Sequence, residues 1–409
     1  MINDQILINR EQRKIKTITY AQKTCVVTLK ANVPGPIKNI FHAHVVISYF
    51  AKRLSEFGLP ILEWYFGEDG LTVYFEAING EDVKKIVCKW EEELPIGRLV
   101  DIDVTLKGET HSLSRPVPRK CFLCDAPAFV CGRNRTHTVS QLLTYFIDKS
   151  EEFFRPIIVS IIKNAMLSEL NLENKFGLVS PLSNGSHKDM NAKIMKRAID
   201  EICLPLSQAF FEGLKANQTN SLMERLIPIG LQCEKVMMQA TNGANAYKGF
   251  IFAGGLLLAS VGFVLGKGLV YTDISTVCAE ICSNFLNPNS TFGYQEYQKG
   301  FGGIRKNAKS GFQSVFKAQN LLLEYSPQNV LAKIVGEIDD SVLLKRAGNF
   351  DRYLYFKNLI SRLPDDEVEM TRVTEMCVQN NVSIGGSADV LICAFMMNEI
   401  KKQFSFAKE

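Results

Sequence analysis

Residues 177–191 combine turn-forming residues with a dense group of side chains that could do chemistry. Gly177, Pro181 and the Asn184-Gly185 pair interrupt regular structure. Within residues 184–189 the chain then supplies amide, hydroxyl, imidazole, ammonium and carboxylate groups, from Asn184, Ser186, His187, Lys188 and Asp189. This mixture fits a binding or catalytic loop. The alternative is a solvated connection between two helices, with Ser186 as the N-cap of the second.

Four more polar clusters interrupt the helical pattern of the C-terminal part of the chain. They are residues 241–249 with Asn245 and Lys248, 302–309 with Arg305, 339–348 with Asp339, Asp340 and Arg346, and 385–389 with Asp389. Any one of them could be a helix cap or a surface ion pair. Five clusters in one helical region, counting 177–191, favour a shared site.

A second chemical signal lies in the N-terminal part, in a strand pattern over residues 99–106. Val100, Ile102 and Val104 fall on one face, so Asp101 and Asp103 project together from the other, about 7 Å apart. Like charges this close repel unless a cation lies between them, and Mg²⁺ prefers carboxylate oxygens. We therefore predict a magnesium site for phosphoryl transfer. The alternative is an edge strand that uses charge against aggregation.

The following residues, 114–137, are strongly basic and contain a possible metal site. The segment contains Arg115, Arg119, Arg133 and other cations but a single acid. This excess of positive charge suits a polyphosphate or an acidic protein partner. Aromatic interleaving is limited, so nucleic acid is not expected. Cys121, Cys124, Cys131 and His137 have a spacing that could bind zinc, although reduced structural thiols fit the same pattern.

Composition places the chain among ordinary globular proteins, with 46% hydrophobic and 22% charged residues. The 409 residues predict two or three domains, and the net charge of +4 does not indicate nucleic acid. Early polar residues such as Asp4 and Arg10 do not fit a signal peptide. Eleven cysteines without a disulfide framework indicate reduced thiols, so we expect a cytoplasmic protein.

The fold class predicted is multidomain, with an N-terminal α+β domain followed by a mainly all-α domain. In the first, we predict a half-buried strand at 25–31, a helix at 41–57, strands at 61–66 and 71–77, a helix at 81–93 and a strand at 99–106. This βαββαβ order is the ferredoxin-like plan. It would cover one sheet face with two helices and leave the other face open.

The charged run at 148–152 predicts a connector, 149–153, between domains of residues 1–148 and 154–409. Helices are expected near 155–171, 190–214, 221–240, 247–266, 273–286, 294–324, 328–345, 350–362, 367–379 and 386–404. The uncharged stretch 249–266 reaches the lower limit for a membrane span. Its glycines and the lack of an aromatic belt favour a buried helix instead, so no membrane is expected.

The N-terminal motifs, in combination and order, resemble a known enzyme family over about residues 1–148. The motifs are Arg10-Glu-Gln-Arg13, Asn32-Val-Pro-Gly-Pro-Ile-Lys38, Gly97-Arg-Leu-Val-Asp-Ile-Asp103, Ser114-Arg115, Pro118-Arg119-x-Cys121-x-x-Cys124, Cys131-x-Arg133 and His137. The family is the apo-citrate lyase phosphoribosyl-dephospho-CoA transferases. The resemblance implies that a carrier-protein serine attacks 2′-(5″-triphosphoribosyl)-3′-dephospho-CoA and that pyrophosphate leaves.

The implied transfer reaction suggests a role for each charged residue of the N-terminal motifs. Asp101 and Asp103 would hold Mg²⁺ and help to activate the serine hydroxyl. The cations Lys38, Arg115, Arg119 and Arg133 would bind phosphate, and the remaining basic surface would dock an acidic carrier domain.

The C-terminal clusters resemble a second family, the triphosphoribosyl-dephospho-CoA synthases, over about residues 155–405. The likeness rests on Gly177-Leu-Val, Asn184-Gly-Ser-His-Lys-Asp-Met190, Asn245, Lys248-Gly249, Gly303-Ile-Arg305, Gly311-Phe312, Asp339-Asp340, Arg346 and Gly385-Gly-x-Ala-Asp389. The resemblance implies that ATP and 3′-dephospho-CoA are joined with loss of adenine. The product would be the substrate of the first domain.

In this second site His187 and Asp189 would supply the base and the carboxylate that a ribosyl transfer needs. Asp339 and Asp340 would bind Mg²⁺ on the triphosphate. Substrate contacts would come from Asn184, Asn245, Lys248, Arg305, Arg346 and Asp389.

The sequence therefore predicts a bifunctional cytoplasmic transferase that makes the prosthetic group of citrate lyase and attaches it to the acyl carrier subunit. Three alternatives stay open: an active transferase with a helical binding module, a malonate decarboxylase carrier as partner, and a membrane-associated protein anchored by 249–266. The oligomeric state is not specified by the sequence.

Overall fold

The structure is a computed structural model that describes residues 2–115, 117–283 and 292–407. The chain forms two compact units. The first contains Met1–Pro156, Leu265–Tyr271 and Lys402–Glu409, and the second contains Ile157–Val264 and Thr272–Lys401. The first holds a small antiparallel sheet and the second is helical, so the predicted multidomain α+β and mainly α arrangement is confirmed.

The first unit is built on four strands and the helices that connect them. The elements are α1 (Ile2–Ala21), β1 (Cys25–Ala31), α2 (Phe41–Glu56), β2 (Ile61–Gly67), β3 (Gly70–Ala77), α3 (Gly80–Glu93) and β4 (Val100–Thr105). The strand order is β2-β3-β1-β4, and each neighbouring pair is antiparallel. The strands and helices expected at residues 25–106 are therefore all present, with bounds shifted by one or two residues.

The second face of the sheet is not open, because α1 lies on it. The rings of Tyr20 and Tyr74 are 5.5 Å apart, and Ala21, Val26 and Tyr74 form a buried cluster. The central strand β1 is consequently buried on both faces from Val26 to Leu29, and the expectation of a half-buried strand was wrong. No helix was predicted before residue 25, since the pattern of α1 is weakly amphipathic.

The edge strand β4 has the alternation that the sequence predicted. Val100, Ile102 and Val104 are fully buried on one face. Asp101 and Asp103 lie on the other face, opposite Lys30 and Thr28 of β1.

The predicted connector 149–153 lies inside one long helix, α5 (Val139–Leu170). A short helix, α4 (Ala128–Asn134), precedes it. Within α5 Lys149 pairs with Glu152 at 2.7 Å, so the charged run stabilises a helix surface instead of interrupting it. Pro156 also lies inside α5, where we expected the helix to begin.

The second unit continues with twelve further described helices. They are α6 (Ala192–Leu214), α7 (Leu222–Ala240), α8 (Lys248–Lys267), α9 (Asp273–Ser283), α10 (Phe292–Gln298), α11 (Gly303–Lys309), α12 (Gln313–Leu321), α13 (Pro327–Glu337), α14 (Ser341–Ala347), α15 (Phe350–Ser361), α16 (Glu367–Gln379) and α17 (Gly385–Gln403). The end of the predicted helix 273–286, from residue 284 onward, lies outside the described residues.

Two long predicted helices are divided in the structure. The segment 294–324 forms α10, α11 and α12, because Gly300 and Gly311 adopt φ values of +95° and +70° that end the preceding turns. The segment 328–345 is divided into α13 and α14 at residues 338–340.

Helix α8 is the buried helix that we expected at 249–266. Among the described residues it is the one helix long and apolar enough to cross a membrane, yet 89% of its apolar window is buried inside the protein. It crosses α6 at very short range. A methyl group on Gly262 would lie 2.0 Å from the Phe210 carbonyl oxygen, and one on Gly213 would lie 1.8 Å from the Ala259 carbonyl oxygen.

This close crossing predicts a specific stability effect. Gly262→Ala should lower the free energy of unfolding by about 1–3 kcal/mol, because the backbones must separate to admit the methyl group. Gly255→Ala is the matched control in the same helix, since its methyl group would meet Leu206 at an ordinary 3.5 Å. The control should be neutral or stabilising by up to about 1 kcal/mol. Urea unfolding measures both, and equal effects would contradict the crossing.

Candidate active sites

The second unit contains a cavity of about 970 Å³ with a charged end and an apolar wall. Its charged lining comes from the five polar clusters and from α7, as His187, Asp189, Glu234, Lys248, Arg305, Asp339, Lys345, Arg346 and Asp389. The apolar wall is contributed mainly by α6, α7 and α8, with Leu226, Leu231, Met238 and Phe252 among its members. Side chains that are far apart in the sequence therefore converge on one cavity.

The loop 177–191 is held against the rest of the second unit by tight backbone contacts. Gly177 has φ of +85°, and a methyl group there would lie 1.9 Å from the Val382 carbonyl oxygen. Ser186 donates its hydroxyl to the same carbonyl at 2.5 Å. The N-cap of α6 is Asn191, which accepts from the backbone N–H of Ile194, so the alternative assignment of Ser186 as the cap was wrong.

His187 is fixed by hydrogen bonds on both ring nitrogens. Arg346 lies 2.9 Å from Nδ1, and because a guanidinium can only donate, Nδ1 is the acceptor. Nε2 then carries the proton and donates to the Ser383 hydroxyl at 3.3 Å. Burial and the charge of Arg346 lower the pKa of His187 to about 4.

These contacts change the role predicted for His187. Its lone pair is occupied by Arg346, which also donates to the Ser186 carbonyl oxygen at 2.9 Å. The imidazole thus orients Arg346 at the cavity. Asp189 lies in the cavity lining with its side chain exposed.

The start of α8 also contributes to the charged lining of the cavity. Asn245 caps the helix by accepting from the Lys248 backbone N–H at 3.2 Å, and Lys248 pairs with Glu234 at 2.7 Å. A methyl group on Gly249 would lie 1.9 Å from Asp389 Oδ2, so glycine is needed for the Asp389 carboxylate to approach. Burial, followed by the charges of Asp340 and Glu169, raises the pKa of Asp389 well above its usual range.

Asp339 and Asp340 were predicted as a pair of magnesium ligands, but the structure separates their roles. Asp340 is 1% exposed, and its two oxygens accept four hydrogen bonds, from the N–H groups of Val342 and Leu343 and from the N–H and hydroxyl of Ser387. It is therefore a structural cap without a free oxygen. Asp339 lines the cavity, 3.6 Å from Lys306.

Of two other predicted substrate-binding residues, Arg305 lines the cavity and Asn184 does not. Arg305 lines the cavity and lies over the Tyr294 ring at 4.8 Å. Asn184 is exposed, accepts from the His187 N–H through its backbone carbonyl and does not line the cavity. Sequence reasoning missed Glu234, because a single acid on an amphipathic helix carries no local motif.

In the first unit, Asp101 and Asp103 lie on one sheet face among cations. Arg119 donates to Asp101 at 2.7 Å, and Lys84 lies 3.8 Å from Asp103. Burial and the charge of Asp101 raise the pKa of Asp103. The strand also lies at the sheet edge, as the alternative interpretation required.

A buried carboxylate that the sequence did not indicate lies near this face. Asp69 is 1% exposed and pairs with Arg13 at 3.0 Å and with Lys30 at 3.1 Å. Burial, followed by the charge of Arg13, lowers the pKa of Lys30 to about 8. Burial likewise lowers the pKa of Lys38, which donates to the Val33 carbonyl.

A second missed acid, Glu91, organises two of the predicted phosphate-binding arginines. It pairs with Arg115 at 3.0 Å and with Arg119 at 2.5 Å, and it accepts from the Ile102 N–H. Burial raises the pKa of Glu91 to about 7 against the effect of the arginines. Arg133 is exposed beside the Phe129 ring and does not belong to this group.

Comparison with known proteins matches each unit to a family. Residues 157–407 match the family described as ATP:dephospho-CoA triphosphoribosyl transferase. Residues 2–153 match the family described as apo-citrate lyase phosphoribosyl-dephospho-CoA transferase. The two matches define a fused, bifunctional transferase of citrate lyase prosthetic-group synthesis.

Relatives of the fused chain and of its second family alone support this assignment. "Protein CitXG" of Leuconostoc mesenteroides subsp. cremoris is 29% identical over 450 residues, covering 96% of each chain. "Protein CitXG" of Haemophilus influenzae is 27% identical, covering 79% of this chain and 78% of that protein. The "2-(5''-triphosphoribosyl)-3'-dephosphocoenzyme-A synthase" of Haemophilus ducreyi is 26% identical, covering 66% of this chain and 96% of that protein. The chain belongs to the ATP:dephospho-CoA triphosphoribosyl transferase family and carries the apo-citrate lyase transferase domain before it.

The contacts of His187 predict an unusual titration. Its signal in a histidine-labelled NMR spectrum, identified by its loss in His187→Gln, should titrate with a midpoint of about 4. An unfolded imidazole titrates near 6.5, so this group's contribution to stability is present above pH 6.5 and is lost as the pH falls towards 4.

The matched variant is Arg346→Gln, which removes the neighbouring charge and should move the midpoint upward. A midpoint at or above 6.5 in the unaltered protein would show that Nδ1 is free to act as a base.

Proposed function

We propose that the second unit joins ATP to 3′-dephospho-CoA and that the first unit transfers the product to a carrier protein. In the first reaction the ribose 2′-hydroxyl of dephospho-CoA attacks C1 of the ATP ribose, and the bond to adenine breaks. In the second, a carrier serine attacks the α-phosphorus and pyrophosphate leaves. The observation that carries the proposal is the convergence of His187, Asp189, Lys248, Arg346 and Asp389 on one cavity.

The charged end of the cavity suits the triphosphate. Lys248, Arg305, Lys345 and Arg346 line it, and guanidinium groups bind phosphate oxygens in pairs. Of the two predicted magnesium ligands, Asp339 fits, because it is one-third exposed and faces the cavity. Asp340 does not fit. A bound Mg²⁺ would lower the charge of the phosphates and keep most of its water ligands.

Two carboxylates with different surroundings supply the proton chemistry. Asp189, on the exposed side, accepts the hydroxyl proton and faces the positive charge that develops at C1. Asp389, whose pKa is raised, donates a proton to the departing adenine. His187 does not transfer a proton in this scheme but holds Arg346 in place.

The apolar wall suits the pantetheine arm of dephospho-CoA. Leu226, Leu231, Met238 and Phe252 present mainly hydrocarbon and one thioether to the cavity. A long, weakly polar arm buried there would leave the nucleotide portion near the charged end. The volume of about 970 Å³ lies at the upper end of small-molecule sites, as two large substrates require.

In the first unit the sheet face with Asp101 and Asp103 is the proposed transfer site. Two carboxylates on one strand offer hard oxygen ligands, and a Mg²⁺ held by them would draw charge from the α-phosphate. Asp103, with its raised pKa, accepts the serine proton. Arg119 and Lys30 neutralise the leaving pyrophosphate.

Further features complete the proposal. The order β2-β3-β1-β4, with α2 and α3 as connections, supports the ferredoxin-like plan for the first unit. The family bounds, 2–153 and 157–407, support the predicted domain limits.

We assign the carrier protein to citrate lyase because the description of the matched family names that enzyme. We assign the protein to the cytoplasm because its eleven cysteines are free thiols.

Asp189→Asn in the full chain tests the synthase site. Adenine release from ATP and dephospho-CoA should fall by about 100-fold or more. The neutral amide cannot accept the hydroxyl proton and does not stabilise the positive charge that develops at C1. Charging of the carrier from supplied triphosphoribosyl-dephospho-CoA should be unchanged. Lys188→Gln is the control, since Lys188 is exposed and does not line the cavity, and normal adenine release in Asp189→Asn would refute the assignment.

Asp103→Asn tests the transferase site, and here carrier charging, not adenine release, should be the activity that falls. The carrier should gain mass from supplied triphosphoribosyl-dephospho-CoA about 100-fold more slowly, while adenine release continues at the normal rate. Asp125→Asn is the control, because its side chain is 94% exposed and pairs with Lys120 away from the sheet face. Undiminished charging by Asp103→Asn would assign the two aspartates to edge protection.

A further inference from the structure

Four side chains that can bind a soft divalent metal lie together between β4 and α5. They are Cys121, Cys124, Cys131 and His137, and their ligand atoms all lie within 4.8 Å of one another. Cys124 Sγ is 3.4 Å from Cys131 Sγ and 3.4 Å from His137 Nε2. Nothing in the two transferase reactions uses these groups.

The distances agree with one tetrahedral zinc ion. Zinc lies about 2.3 Å from thiolate sulfur and about 2.0–2.1 Å from imidazole nitrogen, so tetrahedral edges are about 3.8 Å between sulfurs and about 3.6 Å from sulfur to nitrogen. The observed 3.4 Å separations are within a few tenths of an ångström of these values.

The backbone around Cys121 forms a turn that brings the side chains of Cys121 and Cys124 into the cluster. The Cys121 N–H donates to the Ala126 carbonyl at 2.7 Å, and Lys120 and Pro127 form an antiparallel bridge, which closes a tight turn. The N–H groups of Leu123 and Cys124 donate to Cys121 Sγ. Such N–H donors stabilise a thiolate.

The other two ligands come from the next element. Cys131 lies on α4, and the left-handed Arg135, with φ of 50°, ends that helix and turns the chain back. The Thr136 N–H donates to the Cys131 carbonyl, which brings His137 beside the cysteines.

This segment has little apolar core of its own. Val117, Leu123 and Phe129 are 61%, 40% and 55% exposed, whereas Cys121 and Cys131 are buried. Short segments that cannot bury enough apolar surface are commonly held by a metal or disulfides. All eleven cysteines are free thiols, so no disulfide holds this described segment, and a metal ion at the cysteine cluster would supply that support.

We propose that Cys121, Cys124, Cys131 and His137 bind one structural zinc ion. Four protein ligands fill the tetrahedral shell and leave no position for a substrate, which is the arrangement of a structural site. Three thiolates and one imidazole favour Zn²⁺ over harder cations such as Mg²⁺. The ion fixes the chain that follows Arg119 in the first unit.

The test begins with the unaltered full-length protein. Elemental analysis after extensive dialysis should find one zinc ion per chain, and a mercurial that modifies thiolates should release it to a colorimetric chelator. Replacement by Co²⁺ should give the intense visible bands of a tetrahedral site and the near-ultraviolet bands of thiolate ligation. A protein without zinc, or a cobalt form with the weak bands of an octahedral site, would overturn the proposal.

Variants identify the ligands. Cys121→Ser/Cys124→Ser should bind less than one-tenth of the zinc, while Cys25→Ser, a free thiol on β1 outside the cluster, should keep all of it. The circular dichroism spectrum of the double variant reports whether its strands and helices have formed. Full zinc content in a folded double variant would place the metal elsewhere and refute the assignment.

Discussion

The candidate active site of the second unit depends on the hydrogen bonds of Asp340. One oxygen caps α14 and the other accepts from the backbone and hydroxyl of Ser387 at the start of α17. Because the carboxyl group is buried, these four bonds offset its loss of water, and leaving such a buried acceptor unsatisfied costs about 1–3 kcal/mol. The contact sets the distance between Arg346, on α14, and Asp389, on α17. Both line the cavity.

In the first unit, buried carboxylates are held by ion pairs with cations instead of by hydrogen bonds to neutral groups. Asp69 and Glu91 are almost fully buried, and each is paired with two cations. Arg119 is shared between buried Glu91 and half-exposed Asp101. A guanidinium held by a buried acid loses little freedom when a phosphate binds, which favours the proposed anion site at Arg119.

The sequence predicted local features well and tertiary ones poorly. The alternation of β4 placed Asp101 and Asp103 correctly, and the glycines of α8 indicated a buried helix, because both patterns are set by neighbours along the chain. The roles of Asp340 and His187 depend on Ser387 and Arg346, which lie far away in sequence. No local pattern specifies those partners. The same reason explains why α1 was missed as the cover of the second sheet face.

Under the proposed function, the product of the second unit is the substrate of the first. The most direct test supplies the purified full-length protein with ATP, dephospho-CoA, Mg²⁺ and the apo carrier subunit of citrate lyase, and weighs the carrier by mass spectrometry. The carrier should gain the mass of phosphoribosyl-dephospho-CoA, and one adenine should be released for each carrier modified. A carrier that stays unmodified here, yet is charged when triphosphoribosyl-dephospho-CoA is supplied, would contradict the synthase assignment of the second unit.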